Sequence, residues 1–174
     1  MLTSCRDCDL TSCENGSCDD QVCSCDDGYV GDNCEIQAKP NSIRVTRIEF
    51  ENLPDEPFES RVWDEDTSTA TAYLPDVILQ VRLETSQDLL FTSTERFSNT
   101  NERSFIFDEN MNFSIEEQYV EMRLTIADLD LPKPTPIYAI IVAGYYSPIN
   151  GFPEMIEGED ENGATYKLYL EYEH

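Results

Sequence analysis

Histidine and basic residues are scarce in this chain, and those shortages narrow its chemistry before any motif is read. Its 174 residues include 11 lysines and arginines against 36 aspartates and glutamates, a formal net charge of −25. Nucleic-acid binding needs a cationic face that displaces counterions, so a chain this acidic is expected to bind none. The single histidine is His174, which removes Ser-His-Asp and Cys-His nucleophilic catalysis and zinc sites built on several histidines. No run approaches the ~18 apolar residues of a membrane-spanning helix. Cysteine is absent from Glu35 to His174, whereas Cys5, Cys8, Cys13, Cys18, Cys23, Cys25 and Cys34 crowd the start of the chain.

That uneven distribution divides the sequence in two. The cysteine-rich segment is too short to fold around an apolar core, so covalent staples must hold it. Thiolates at short spacings also suit zinc, but Cys5-x-x-Cys8 has no matching second knuckle. Asp-rich, Gly-containing turns favour a disulfide knot, which in turn requires an oxidising compartment.

The stretch Cys23-Ser-Cys25-Asp-Asp-Gly28-Tyr29-Val30-Gly31-Asp-Asn-Cys34 resembles the C-terminal half of an EGF-like domain. Cys13-Glu-Asn15-Gly16-Ser-Cys18 resembles that family's middle segment, with an Asn-Gly turn between cysteines. Gly28 and Gly31 suit backbone positions where a side chain would obstruct a tight hairpin. The resemblance implies the pairing Cys8–Cys18, Cys13–Cys23 and Cys25–Cys34. The calcium-binding subclass carries an acidic run before its first cysteine. Arg6-Asp7 stands there instead, so no calcium is expected in this module.

Three bridges leave Cys5 over. Leu2-Thr3-Ser4-Cys5 resembles a bacterial lipobox, in which cleavage precedes a cysteine that then carries acyl chains. This implies lipidation at Cys5, a membrane anchor of several chains, and an exported lipoprotein facing the cell surface from the outer membrane. A secreted protein is the alternative.

Beyond the cysteines, strand-like runs recur with turn signals between them: 43–50, 76–84, 88–92, 104–108, 111–115, 121–127, 137–143 and 164–172. No amphipathic helical stretch competes. Several strands without intervening helices predict an all-β class, here a small disulfide-rich module followed by an antiparallel sandwich. The expected divisions are 1–7 for the anchor, 8–36 for the EGF-like domain, 37–42 for a linker and 43–174 for the sandwich.

Trp63-Asp64-Glu65-Asp66, Pro75-Asp76-Val77 and Ala127-Asp128-Leu129-Asp130 resemble the C2-like sandwich, in which acidic loops at one end converge on calcium. Asn150-Gly151-Phe152-Pro153, followed by the alternating strand to Tyr172, resembles surface lipoproteins of the Bacteroidetes group that join an EGF-like module to such a sandwich. The resemblance implies Ca2+ as the candidate cofactor and Asp64, Asp66, Asp76, Asp128 and Asp130 as its ligands. Lys133 follows where the family carries a further acid. Glu157, Glu159, Asp160 and Glu161 read as a solvated hairpin loop. Trp63 reads as a plug of the core, and Tyr145 and Tyr146 as candidates for an exposed aromatic contact.

Paired carboxylates alone suit glycoside hydrolysis, but nothing selects a pair from 36 acids. The function expected is therefore non-enzymatic: an interaction or adhesion module, or an accessory subunit of an outer-membrane assembly, meeting an envelope protein or a glycan. The alternative is a glycan-binding protein or a small secreted carboxylate-dependent hydrolase.

Overall fold

Runs in which every second side chain is apolar become strands wherever one face can be buried. The computed structural model describes residues 13–20, 22–59, 63, 74–116, 120–130, 133–145 and 151–174. Within these, such runs build two sheets that share one apolar core. The first sheet orders β11 (Thr135–Val142), β10 (Met122–Asp128), β6 (Val77–Leu83) and β7 (Leu89–Thr92). The second orders β12 (Met155–Glu159), β13 (Thr165–Glu173), β5 (Ser42–Glu51) and β8 (Phe105–Phe107), with β9 (Phe113–Ile115) also on β5. Every pairing is antiparallel.

Val77, Leu79 and Val81 of β6 and Met122, Leu124 and Ile126 of β10 are buried from one side. Ile43, Val45, Ile48 and Phe50 of β5 and Leu168 and Leu170 of β13 close the core from the other. Phe91 of β7 stacks on Phe113 of β9 across the layers, with ring centroids 5.4 Å apart. The chain is all-β: two antiparallel sheets packed face to face, with a disulfide-bonded module before them.

All eight predicted strands are present, their ends shifted by one or two residues. The inward positions of β5 step from Val45 to Ile48, a spacing of three. The pairing with β13 changes register there, from Tyr169↔Arg47 to Leu170↔Val45. Thr46 is the extra residue of a bulge, and its Oγ1 donates to the Tyr169 carbonyl at 3.3 Å.

Two elements depart from expectation. A one-turn helix, α1 (Asp55–Glu59), is present because Phe58 stacks on Phe105 with centroids 6.3 Å apart. The Arg103 guanidinium lies over the Phe58 ring, 4.2 Å from its centroid. The predicted acidic loop is also partly strand: Glu157 and Glu159 belong to β12, and the hairpin turn is confined to 160–163. Gly158, which weakens the strand pattern in sequence, sits under the Tyr166 ring opposite it, and that ring occupies the space a Cβ would need.

The preceding module holds two small antiparallel pairs, β1 (Gly16–Asp19) with β2 (Val22–Cys25), and β3 (Tyr29–Val30) with β4 (Ile36–Gln37). Cys13 is bonded to Cys23 and Cys25 to Cys34. Cys18 is disulfide-bonded as well; its predicted partner Cys8 and the predicted lipidation site Cys5 lie outside the described residues. Asn15-Gly16 is not the predicted turn. Gly16 opens β1 opposite Cys25, where a Cβ would collide with the Ser24 backbone.

Gly28, at φ +85°, takes the left-handed turn conformation expected of it and has a second role besides. A Cβ there would stand 2.7 Å from Phe152 Cε2 and 2.8 Å from His174 Nε2, both in the sandwich portion of the chain. The glycine therefore makes room for the sandwich as well as for its own turn. Between the two portions, the Ala38 N–H donates to the Gly28 carbonyl at 2.8 Å, and Asn41 N–H to the Glu173 carbonyl at 2.7 Å.

Candidate functional site

The predicted acidic end is built where β6 begins and β10 finishes. Asp128 is fully buried, and its Oδ1 accepts from the Asp76 N–H at 2.7 Å. Asp76 in turn uses both carboxylate oxygens: one accepts from the Asn99 N–H at 2.8 Å and the other pairs with the Arg96 guanidinium. Two of the five predicted ligands therefore meet, and an arginine supplies positive charge at Asp76. Asp130 instead accepts from Thr135 Oγ1 at 3.3 Å. Asp64 and Asp66 lie outside the described residues. Among the described residues no three histidine, cysteine or acidic side chains gather as a metal cluster.

Of the predicted aromatic contact, Tyr145 is a correction. Its exposure is 0%, its hydroxyl donates to the Val142 carbonyl, and burial pushes its phenol well above the usual range. A bulky ring three residues after the last inward position of β11, Val142, is drawn into the core, so no partner can reach it. Tyr146 lies outside the described residues. Trp63 is buried as predicted, donating from Nε1 to the Phe58 carbonyl at 2.7 Å.

A second place, which the motif reading missed, lies along the flank of the sandwich. There β11 and β12 are edge strands of the two sheets and do not pair with each other. A groove of about 490 Å3 lies between β11 and the β12–β13 hairpin, lined by Tyr138, Ala139 and Ile141 on one side and by Glu159, Asp160 and Tyr166 on the other. Asp160 organises the turn that closes it. One of its oxygens accepts from the Asn162 and Ala164 N–H groups at 2.9 and 3.0 Å, and the other accepts from the Tyr138 hydroxyl. Burial pushes the Asp160 carboxyl up, but these hydrogen bonds outweigh it and hold the group below the usual carboxylate range. Tyr138 is raised by burial and by Asp160.

The signal that would have found this flank was compositional. Thr135–Val142 is eight residues without a charge, in a chain carrying 36 acids. Read only as a strand, it gave no hint that no described strand pairs with its outer side.

No family model matches the chain, and no curated protein matches it. Among solved structures it is similar to a C2 domain at 12% identity and a TM-score of 0.44, over 76% of this chain and 98% of that one. It is also similar to human GIVD cytosolic phospholipase A2, solved with methyl gamma-linolenyl fluorophosphonate and terbium chloride. That likeness has 17% identity and a TM-score of 0.44, over 76% of this chain and 17% of the phospholipase. The assignment to the all-β class rests on the strand register and burial of the chain itself.

Proposed function

We propose that this chain is a non-enzymatic interaction module of the cell surface, an accessory subunit engaging an envelope protein. In this reading Cys5 carries the lipid anchor at the outer membrane, the EGF-like module is a short stiff spacer, and the C2-like sandwich makes the contact. The observation that carries it is the bonded pair Cys13–Cys23 and Cys25–Cys34, in a module seated against the sandwich through Tyr29 and Phe152. Disulfides persist in oxidising compartments, and a knotted module fixed to its neighbour suits a spacer that must resist proteolysis. The Asp76–Asp128 end is the place where calcium would act on the loops, with Asp64, Asp66 and Asp130 as the further proposed ligands.

A glycan is the second reading, favoured by Tyr138, Tyr166 and Asn162 around one groove, since sugars bind through aromatic faces and amide hydrogen bonds. A native pull-down from detergent-solubilised membranes, run with calcium and with chelator, separates the two. One envelope protein at near-stoichiometric yield supports the subunit reading. Bait recovered alone overturns it and turns the question to glycan arrays. A mature protein without acyl mass at Cys5 overturns the anchor.

A further inference from the structure

Every exposed sheet edge offers backbone hydrogen bonds, and proteins usually blunt such edges with charge, brevity or a bulge. Strand β7 is four residues long, and β12 carries two glutamates in five residues. Among the described residues, strand β11 is blunted at its start, where Pro136 sits beside a bulge, and α1 also lies against the strand. From Tyr138 to Val142 it is straight, uncharged and terminal in its sheet, and no described strand pairs with its outer side.

The direction of its backbone groups follows from its neighbours. Leu129 N–H donates to the Asp76 carbonyl and Glu84 N–H to the Glu121 carbonyl, at 2.9 and 2.8 Å. Odd-numbered residues of β10 therefore bond to β6, and even-numbered ones to β11. The register Leu124↔Ile140 and Met122↔Val142 then turns the N–H and C=O groups of Ala139 and Ile141 outward. Both residues line the groove in front of the β12–β13 hairpin.

We infer that this edge is a strand-addition site for an extended, basic segment of another protein. A strand laid along Ala139–Ile141 would place one row of side chains beside Ile141, which is 48% exposed. Its other row would lie beside buried Ile140 and point across the groove toward Glu159, Asp160 and Glu161. Arg123, the one cation lining this groove among the described residues, is held by Glu84 through two hydrogen bonds of 2.7 and 2.6 Å. An apolar row on one face and a basic row on the other is therefore the matching pattern. A second copy is disfavoured as occupant, because each chain carries a net charge of −25. The inference rests on the protein-interaction reading above and gives its partner a chemistry.

The probe is a short synthetic peptide alternating lysine with valine, titrated against the full chain by calorimetry. Controls are the same peptide N-methylated at alternate residues and a glutamate-for-lysine version. Ala139→Pro removes an outward N–H while leaving the ladder to β10, and is expected to weaken binding by about tenfold. The double variant Glu159→Lys, Glu161→Lys is expected to do the same, and the N-methylated peptide is expected not to bind.

Equal binding of the N-methylated peptide would reduce the interaction to charge adsorption and overturn the inference, even if Ala139→Pro fails to fold. Equal binding of the glutamate peptide would overturn the assigned charge. A dimer that Ile141→Lys converts to monomer would make the occupant a second copy. The membrane pull-down repeated with Ala139→Pro distinguishes the two proposals. A partner still recovered at full yield leaves the subunit reading standing and removes the edge from it.

Discussion

Tyr29 of the small module meets Phe152 of the sandwich edge to face, with ring centroids 5.7 Å apart. Phe152 also touches Tyr172 at 5.3 Å and His174 at 4.7 Å. One ring thus joins the preceding module to the final strand, and the lone histidine is a packing residue at this junction.

Phe152→Ala should therefore loosen the junction without unfolding the core. A half-buried phenylalanine lost from such a cluster costs about 2 kcal/mol. Limited proteolysis should show faster cleavage at 38–41, with the melting of the sandwich nearly unchanged. Gly28→Ala should produce the same cleavage, because its Cβ would displace Phe152 and His174. Cleavage as slow as in the wild type would show that the backbone ties at Ala38 and Asn41 suffice.

Reduction should unfold the small module and spare the sandwich, which contains no cysteine from Ile43 onward. Cys13–Cys23 and Cys25–Cys34 close loops with separations of 10 and 9 residues, and each contributes about 2–3 kcal/mol in the loop-entropy account. Peptide mapping without reductant should recover both bridges. Hydrogen exchange after reduction should rise over 13–34 while the strands of the core stay protected.

At the buried acidic pair, Asp128→Ala removes the acceptor for the Asp76 N–H and should cost about 1–3 kcal/mol. Asp128→Asn keeps an acceptor oxygen and should cost less. If these loops hold calcium, chelator lowers the melting temperature of the wild type and no longer does so in Asp128→Asn. An unchanged wild-type melting temperature in chelator removes calcium from the account.

The alkaline limit of stability should be set in part by Tyr172. Its hydroxyl donates to the Tyr145 and Pro153 carbonyls at 3.0 and 2.8 Å, and burial pushes its pKa from 10.0 up to about 12. Below pH 10 the phenol is neutral folded and unfolded, so its contribution is complete there. Between 10 and 12 the unfolded chain ionises first, and that contribution is lost as pH rises. Tyr172→Phe should cost about 1–2 kcal/mol at neutral pH and flatten the decline in melting temperature across that window. An unchanged slope would assign the decline to Tyr145 and Tyr166, whose phenols are also raised by burial.

Much of the fold was legible because alternation is a local property. Tyr166, Leu168, Leu170 and Tyr172 mark one face of β13 directly. Strand β12 was hidden because Met155–Glu159 has only one inward apolar residue of any size, Ile156, and a glycine whose cover comes from Tyr166 on the neighbouring strand. Helix α1 was hidden for the same reason, since its support is Phe105 and Arg103, far along the chain. The acidic end was half legible: Asp-x-Asp located Asp128, while Arg96 as counter-charge of Asp76 depends on a loop meeting β6. Tyr145 was misread because a tyrosine beside a strand end looks alike in sequence whether its ring turns outward or into the core.

The bulge at Thr46 also constrains how β5 can change length. Residues 43–45 pair with β9 and residues 48–50 with β8, so the strand serves two neighbours in two frames. Deleting Thr46 alone would remove the extra residue and leave Ile43, Val45, Ile48 and Phe50 alternating on one face, whereas deleting Arg44 or Glu49 would put Ile43 or Phe50 out of phase with its half and turn it toward water. The bulge is therefore where this strand can lose a single residue and keep its inward face, and length variation among related chains should fall there or in the connections on either side of the strand.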